Sequence, residues 1–382
     1  MLILFASLCA GIALVTSAML VRADYCMARL RDVPLPSDDW QAPLVSVIVA
    51  ARNESRDIEQ AIKSLLGLAY SPYQLTVVND RSTDDTGEIL DRLATEYPQL
   101  NVVHLEHLPE GWLGKNHAQH FGAQRSDGKW LLLTDADIVF DPTSLTRAVW
   151  WAEDQALDHL AGIPRIKVSG FLLNAVVAAF AVFFKAHFRP WRARNPKSKA
   201  FIGIGAFNLV RAEAYHAIGG HEQLKMRPDD DIKLGKVLKQ SGFRQDLIVA
   251  GSMLSVRWYA SITELIRGLE KNAFAAVEYN PLTVVASTLA AFLFFVVPFA
   301  GAVVATGLPQ ALFAMTALLW LVCCWQACRG FQQNPVYCLG FPIATLLLIY
   351  IQLRTMLLNY WLGGIRWRDT FYPLDELRSN RV

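Results

Sequence analysis

The residues best suited to chemistry are two carboxylates one residue apart, Asp135 and Asp137, closing the apolar run Leu131-Leu-Leu-Thr134. Alternate side chains of a strand share a face, so both acids would point into one cleft at the strand's carboxyl end. Two close like charges are costly without a cation, and oxygen-only ligands suit Mg2+ or Mn2+. The plainer alternative is a strand running into an Asx turn before Pro142, with Asp137 and Asp141 as turn formers. A second acidic set, Asp229-Asp230-Asp231, follows Pro228 and precedes a helical pattern over 232–240. Any one of the three could cap that helix, yet three acids exceed what one cap requires. Between the two sets, Gly111-Trp-Leu-Gly-Lys-Asn116 is a turn-rich segment that would present Lys115 and exposed amides ahead of a helix, a phosphate-binding arrangement.

Positioning these groups requires a scaffold, and the sequence predicts an α/β one. Apolar, β-branched runs at 44–50, 75–79, 101–105 and 130–134 alternate with helical patterns at 57–66, 87–96 and 115–123. This alternation predicts a Rossmann-like, mostly parallel sheet with right-handed crossovers, whose ligands sit beyond the strands' carboxyl ends. The polar residues collect at those ends: Arg52-Asn53-Glu54, Asp80 and Asp135-Ala-Asp137. Each has an ordinary alternative. Asn53 could cap a helix, Ser82, Thr83 and Asp84 could cap the next one, and Glu54 could answer a helix dipole.

The 382-residue chain as a whole is too apolar for an ordinary soluble enzyme, at 53% hydrophobic and 18% charged residues, with the excess at the start and in the last third. No basic stripe interleaved with aromatics argues for nucleic acid. The six cysteines lie in or beside apolar segments, which supports neither a disulfide framework nor a zinc site. Residues 1–21 predict a transmembrane anchor, and Arg22, Arg29 and Arg31 after it put the following domain on the cytoplasmic side of the inner or plasma membrane. A cleaved signal peptide is the competing reading, but a basic leading region is lacking. Proline-rich 22–43 reads as a linker and 44–260 as the α/β domain. Within it, 171–184 is apolar but too short to cross a bilayer, so it is buried or interfacial. The acid-free basic run after it (Lys185, Arg189, Arg192, Arg194, Lys197, Lys199) suits an anionic leaflet or a solvated loop. Residues 261–281 predict an interfacial amphipathic helix, and 282–353 two or three membrane segments, the last (336–353) weakened by Gly340 and Pro342. If all three span, the basic tail 354–382 falls outside, against the positive-inside tendency; a re-entrant last segment would avoid this.

As an ordered set, Ala51-Arg-Asn-Glu54, Asn79-Asp-Arg-Ser-Thr-Asp-Asp-Thr86, Thr134-Asp-Ala-Asp137 and Asp230-Asp231-Ile-Lys-Leu-Gly235 resembles family 2 glycosyltransferases of the GT-A fold, over about 44–279. The resemblance implies nucleotide contacts at Glu54 and Asp80, a divalent cation on the donor diphosphate at Asp135 and Asp137, and a catalytic pair Asp230 and Asp231, with Asp231 as general base of an inverting transfer. The Gly-Trp-x-Gly-Lys segment ending at Lys115 and the segment 201–220, with Gly203, Gly205 and Phe207 as acceptor contacts, are similar to the lipid-modifying members, ceramide-glucosyltransferase-like and carotenoid- or hopanoid-associated. So is the tail Gly363-Gly-Ile-Arg-Trp-Arg368. Arg257-Trp258 resembles the family's Arg-Trp element near the donor; Leu254 stands where processive synthases carry Gln, against a long polymer product. The implied reaction moves one sugar from a nucleotide donor, a UDP-sugar being expected, to a membrane lipid of sphingolipid, carotenoid or hopanoid type. Transfer to a polyprenyl phosphate is the alternative. A catalytically inactive nucleotide-binding membrane scaffold is the alternative of another class, opposed by the intact acidic set.

Overall fold

The computed structural model describes residues 1–382. An apolar helix α1 (Leu2–Cys26) precedes a short strand β1 (Ala28–Arg29). Strands and helices then alternate: β2 (Val45–Ala51), α2 (Ile58–Leu66), β3 (Tyr73–Asp80), α3 (Thr86–Glu96), β4 (Leu100–Leu105), α4 (Gly114–Ala123) and β5 (Trp130–Asp135). After them come β6 (Ile138–Phe140), α5 (Ser144–Asp154), β7 (His159–Lys167), α6 (Phe171–Phe188), β8 (Asn208–Arg211), α7 (Ala212–Ala217), α8 (Asp230–Gln240) and β9 (Gln245–Arg257). The last part holds α9 (Ile262–Ala273), α10 (Pro281–Phe295), α11 (Val297–Val304), α12 (Gly307–Gly330), α13 (Phe341–Leu362), the hairpin β10 (Gly364–Trp367) and β11 (Thr370–Pro373), and α14 (Leu374–Ser379).

The chain forms two compact units: one of Met27–Lys167, Pro190–Arg257 and Asn380–Val382, the other of Met1–Cys26, Val168–Arg189 and Trp258–Ser379. The first is a nine-stranded sheet in the order β1-β9-β7-β8-β5-β2-β3-β4, with β6 paired to β9. It is mostly parallel, as the alternating pattern predicts; the antiparallel strand β8, wedged between β5 and β7, joins two parallel portions. Alternation along β2 fills both faces. Val45, Val47 and Val49 pack with Ile58 and Ile62 of α2, Leu90 of α3 and Leu145 of α5. Ile48 turns the other way, onto Leu131, Leu133, Val210 and the α8 residues Leu234 and Leu238. Each such fully buried aliphatic side chain contributes about 1.5–3 kcal/mol, so the register that sets the faces is strongly specified.

Residues 22–43 are not a plain linker. Leu30 and Val33 are buried in the core of the sheet unit, Arg147 donates to the Val33 carbonyl, and Tyr70 donates to the Pro43 carbonyl. The prolines that suggested a linker extend the backbone along the surface while these apolar neighbours hold it there.

The second unit is helical, and the chain carries five helices long and apolar enough to cross a membrane. One is the segment Phe171–Arg192, longer than the sequence suggested, because the helix continues through Lys185 to Phe188. Lys185 tolerates that position through an ion pair with Asp24 of α1 at 2.8 Å. The first of the membrane segments expected within 282–353 is broken between α10 and α11 at Pro298, which has no N–H to donate to the carbonyl four residues back. That carbonyl, on Phe294, instead accepts the Trp320 indole N–H at 3.0 Å. Pro342 sits in the first turn of α13, where its missing N–H costs nothing, so α13 runs on to Leu362 and takes up the start of the expected tail. In α9, Ser261 accepts from the Glu264 N–H at 3.1 Å while the Glu264 carboxylate accepts from the Ala260 N–H at 2.8 Å, a reciprocal cap that fixes where this amphipathic helix begins.

Candidate active site

The sheet register brings the acidic strand ends level. Ala50 of β2 lies opposite Asp135 of β5, and Ala51 opposite Asn79 of β3, so Arg52–Glu54, Asp80 and Asp135 emerge side by side. Asn53 and Arg81 both take the left-handed backbone conformation, with φ of 53° and 55°. Such residues persist where their surroundings hold them. Here the loops hold each other: Asn53 N donates to Ser82 Oγ at 3.0 Å, Thr83 N to Asn53 Oδ1 at 2.8 Å, Glu54 N to Thr86 Oγ1 at 2.8 Å and Ser55 N to Asp84 Oδ2 at 3.1 Å. Asn53, Ser82 and Thr83 are thus clasps between loops rather than helix caps. Only Asp84 also meets a helix start, accepting from Thr86 N at 3.1 Å.

Asp80 is buried, and both its oxygens are held by guanidinium groups: Arg81 at 2.7 and 3.0 Å and Arg52 at 3.5 Å. It therefore fixes two cations at the mouth of the cleft, a task the sequence did not suggest. Asp135 ends β5, but Asp137 lies in the two-residue turn before β6, so the strand-face argument holds for Asp135 alone. The turn still joins the two electrostatically. Burial first, then the carboxylates of Asp135 and Glu54, push the Asp137 carboxyl upward, to about 7. A site that strains an acid in this way is relieved by a cation. No three His, Cys, Asp or Glu side chains converge as a metal cage. The Asp135 and Asp137 carboxylates fit Mg2+ or Mn2+ on a phosphate-bearing ligand, since such cations keep few protein ligands.

Lys115, in the first turn of α4, reaches Asp135 at 2.6 Å and Asp230 at 3.8 Å. Burial works against its charge, but Asp135, Asp230 and Asp231 outweigh that and keep it an ammonium. The segment 202–205 crosses the first turn of α8 so tightly that a Cβ on Gly203 would overlap the Asp231 carbonyl oxygen. A Cβ on Gly205 would lie 2.8 Å from Asp135 Oδ2, 3.2 Å from Lys115 Nζ and 3.3 Å from Asp231 Oδ2, so only glycine leaves this junction open. The Gly205 N–H donates to Asp231 Oδ2 at 2.7 Å.

The three acids before α8 divide their work. Asp229 makes a two-pronged ion pair with the buried Arg227, both contacts at 2.8 Å, and is structural. Asp230 is buried beside Lys115 and His221. Asp231 faces the Gly205 junction, its carboxyl raised to about 6 by burial and then by Asp230, with Lys115 opposing. None caps α8 from the N-cap position.

Three further sets of expected residues have the following surroundings. Phe207, one residue before β8, is fully buried in the core with its ring against Phe140, so any acceptor role would be indirect. Arg257 pairs with Asp57 at 3.4 Å, at the end of the strand whose Val256 lies opposite Ile138; Trp258 belongs to the helical unit and stacks on Tyr259 and Phe180. The basic run is partly spent: Lys185 is paired with Asp24, and Arg194 meets Gln155 and, at 3.7 Å, Asp246. Sequence reasoning missed Asp57, whose charge also acts on Asp137, and gave no more than a helix-end role to His221, which the folded chain brings to Asp230. It missed too that Asn380 docks on the loop before α8: its side chain accepts from Met226 N and donates to the Gln223 carbonyl, both at 3.0 Å.

Residues 46–219 match the family model for glycosyl transferase family 2. A beta-monoglucosyldiacylglycerol synthase of a Synechocystis species is 29% identical over 202 residues, 52% of this chain and 41% of that protein. A second protein of that description, from a Nostoc species, is 36% identical over 97 residues, 25% of this chain and 20% of that one. A probable glycosyltransferase of Bacillus subtilis is 33% identical over 99 residues, 25% and 23% of the two chains. The chain thus matches less than half the length of these relatives. Among solved structures, a mannosyltransferase from Pyrobaculum calidifontis, in complex with GDP-Man and Mn2+, superposes with a TM-score of 0.59 over 93% of this chain and 99% of that one at 20% identity, a likeness of fold. Residues 46–219 therefore resemble a family 2 glycosyltransferase domain, on a fold shared with that mannosyltransferase.

Proposed function

We propose that the chain transfers a single sugar, with inversion, from a nucleotide-sugar to a membrane lipid. The observation that carries this reading is the junction at Gly205, where a cationic side chain (Lys115), a carboxylate beside the metal-type pair (Asp135) and a carboxyl raised towards neutrality (Asp231) all lie within 3.3 Å of one missing Cβ. In the reaction, the acceptor hydroxyl gives its proton to the Asp231 carboxylate as its oxygen bonds to the anomeric carbon. The bond from that carbon to the diphosphate breaks on the opposite face, and the nucleoside diphosphate leaves with the electron pair. Lys115 and the guanidinium groups of Arg52 and Arg81 are disposed to meet the charge that develops on it. A divalent cation held by Asp135 and Asp137 would add Lewis-acid stabilisation of the same phosphate oxygens.

A lipid acceptor is supported by the five apolar helices and by the two relatives named as monoglucosyldiacylglycerol synthases. A UDP-sugar donor and a catalytic unit on the cytoplasmic face complete the reading, the latter supported by Arg22, Arg29 and Arg31 after α1. Transfer to a polyprenyl phosphate is the second reading: an ionised phosphate acceptor needs no base, so it predicts little dependence on Asp231. The test is Mn2+-dependent release of nucleoside diphosphate by the full-length protein in membranes, with mass spectrometry of lipid extracts. Asp137→Asn is expected to abolish both turnover and metal-dependent donor binding; a variant with a normal rate would remove Asp137 from the site.

A further inference from the structure

The turn 220–224 that precedes the acidic loop carries His221, which is fully buried. Its Nδ1 lies 2.7 Å from the hydroxyl of Tyr215 on α7, itself buried. Its Nε2 finds no hydrogen-bond partner and faces Asp230 Oδ2 at 3.8 Å. A buried polar atom without a partner is costly, and a lone pair turned to a carboxylate would add repulsion. The favourable arrangement has Tyr215 donating to Nδ1 and the ring proton on Nε2, aimed at Asp230. At 3.8 Å this is an ion–dipole contact rather than a hydrogen bond, and such contacts often tighten only once a site is loaded. The other groups around the pair are Lys115 and His120 on α4, Glu222 beside His221, and Asp231 on α8; His120 sits against Glu222 at 3.7 Å.

We propose that His221, buttressed by Tyr215, is a positioning residue for Asp230: its Nε2–H aims that carboxylate at Lys115 and thereby fixes the Lys115–Asp135–Asp231 junction where transfer takes place. The inference rests on the sugar-transfer reading of that junction. A misplacement of about 1 Å in such a constellation costs on the order of a hundredfold in rate, so the effect falls on kcat rather than on donor KM.

The variants that test it differ in which ring nitrogen they imitate. Gln can place an amide N–H where Nε2 was, Asn only where Nδ1 was, and Leu neither. His221→Leu and His221→Asn should lose roughly tenfold to a hundredfold in kcat with donor KM within about twofold, and His221→Gln should recover most of it. A purely structural histidine would instead give three variants that lose kcat in step with their thermal stability, with no rescue by Gln. Nitrogen NMR of histidine-labelled full-length protein in detergent, assigned through the variants, reads the tautomer without any substrate. A proton on Nε2 is expected; a proton on Nδ1, or a Leu variant with unchanged kcat, overturns the proposal. Nucleoside diphosphate release by the wild type judges the enzymatic reading separately, because the tautomer does not depend on turnover.

Discussion

Asp231 and Asp229 are neighbours in one acidic run, yet one faces an open junction and the other is closed off by Arg227. Composition could not separate them; the segment 202–205 crossing α8 does. The consequence is a pH dependence. A base works ionised, so transfer to a hydroxyl should fall as pH drops through about 6 and level off above it, from the raised carboxyl of Asp231. Asp231→Asn should cut that transfer about 10²–10⁴-fold, the usual worth of a positioned base, while donor binding stays near normal. A flat rate from pH 5 to 8 in the wild type, or a fast Asn variant, would move the base elsewhere.

The loop clasp belongs to the scale of elements: hydrogen bonds from Thr86 and Ser55, against some burial, hold Asp84 at about 2. Its folded value lies below that of an unfolded carboxyl, about 4, so the stability it contributes is present above pH 4 and is lost as pH falls from there towards 2. Solvent screening reduces this to on the order of 1 kcal/mol, to be read as a smaller acid-induced drop in thermal stability for Asp84→Asn than for the wild type. The Arg227–Asp229 pair that shapes the acidic loop is better buried. Arg227→Met should cost about 3–5 kcal/mol, because it strips the main partner from a buried carboxylate; a denaturation midpoint near that of the wild type would show the pair to be dispensable. The first half of the sheet was readable because β2 to β5 alternate with amphipathic helices at a steady period. The strands β6 to β9 were not. The β8 strand has four residues, and β7 breaks register at Pro164, where the backbone cannot donate. Hence the acid pairs were visible in the sequence, whereas the burial of Phe207, one residue before β8, was not.

At the scale of the molecule, most of the chemistry sits in one sheet unit, and the apolar helices lie in stretches that leave that unit and come back to it. Asn380 makes this concrete, since its side chain bonds to both Gln223 and Met226 beside the acidic loop, with Val382 accepting from Lys236. A polypeptide that departs from a water-exposed body and rejoins it must traverse an intervening bilayer an even number of times. If the helices lie in a bilayer, the excursion between Lys167 and Pro190, with one apolar helix, is expected to make no net crossing, and that between Arg257 and Asn380, holding α10–α11, α12 and α13, none or two. A topology reporter fused after Val382 is expected to register on the same side as one inserted at the exposed Asp127; opposite sides would break the parity. A path closed in this way would spare the basic tail the positive-inside difficulty that three spanning segments pose.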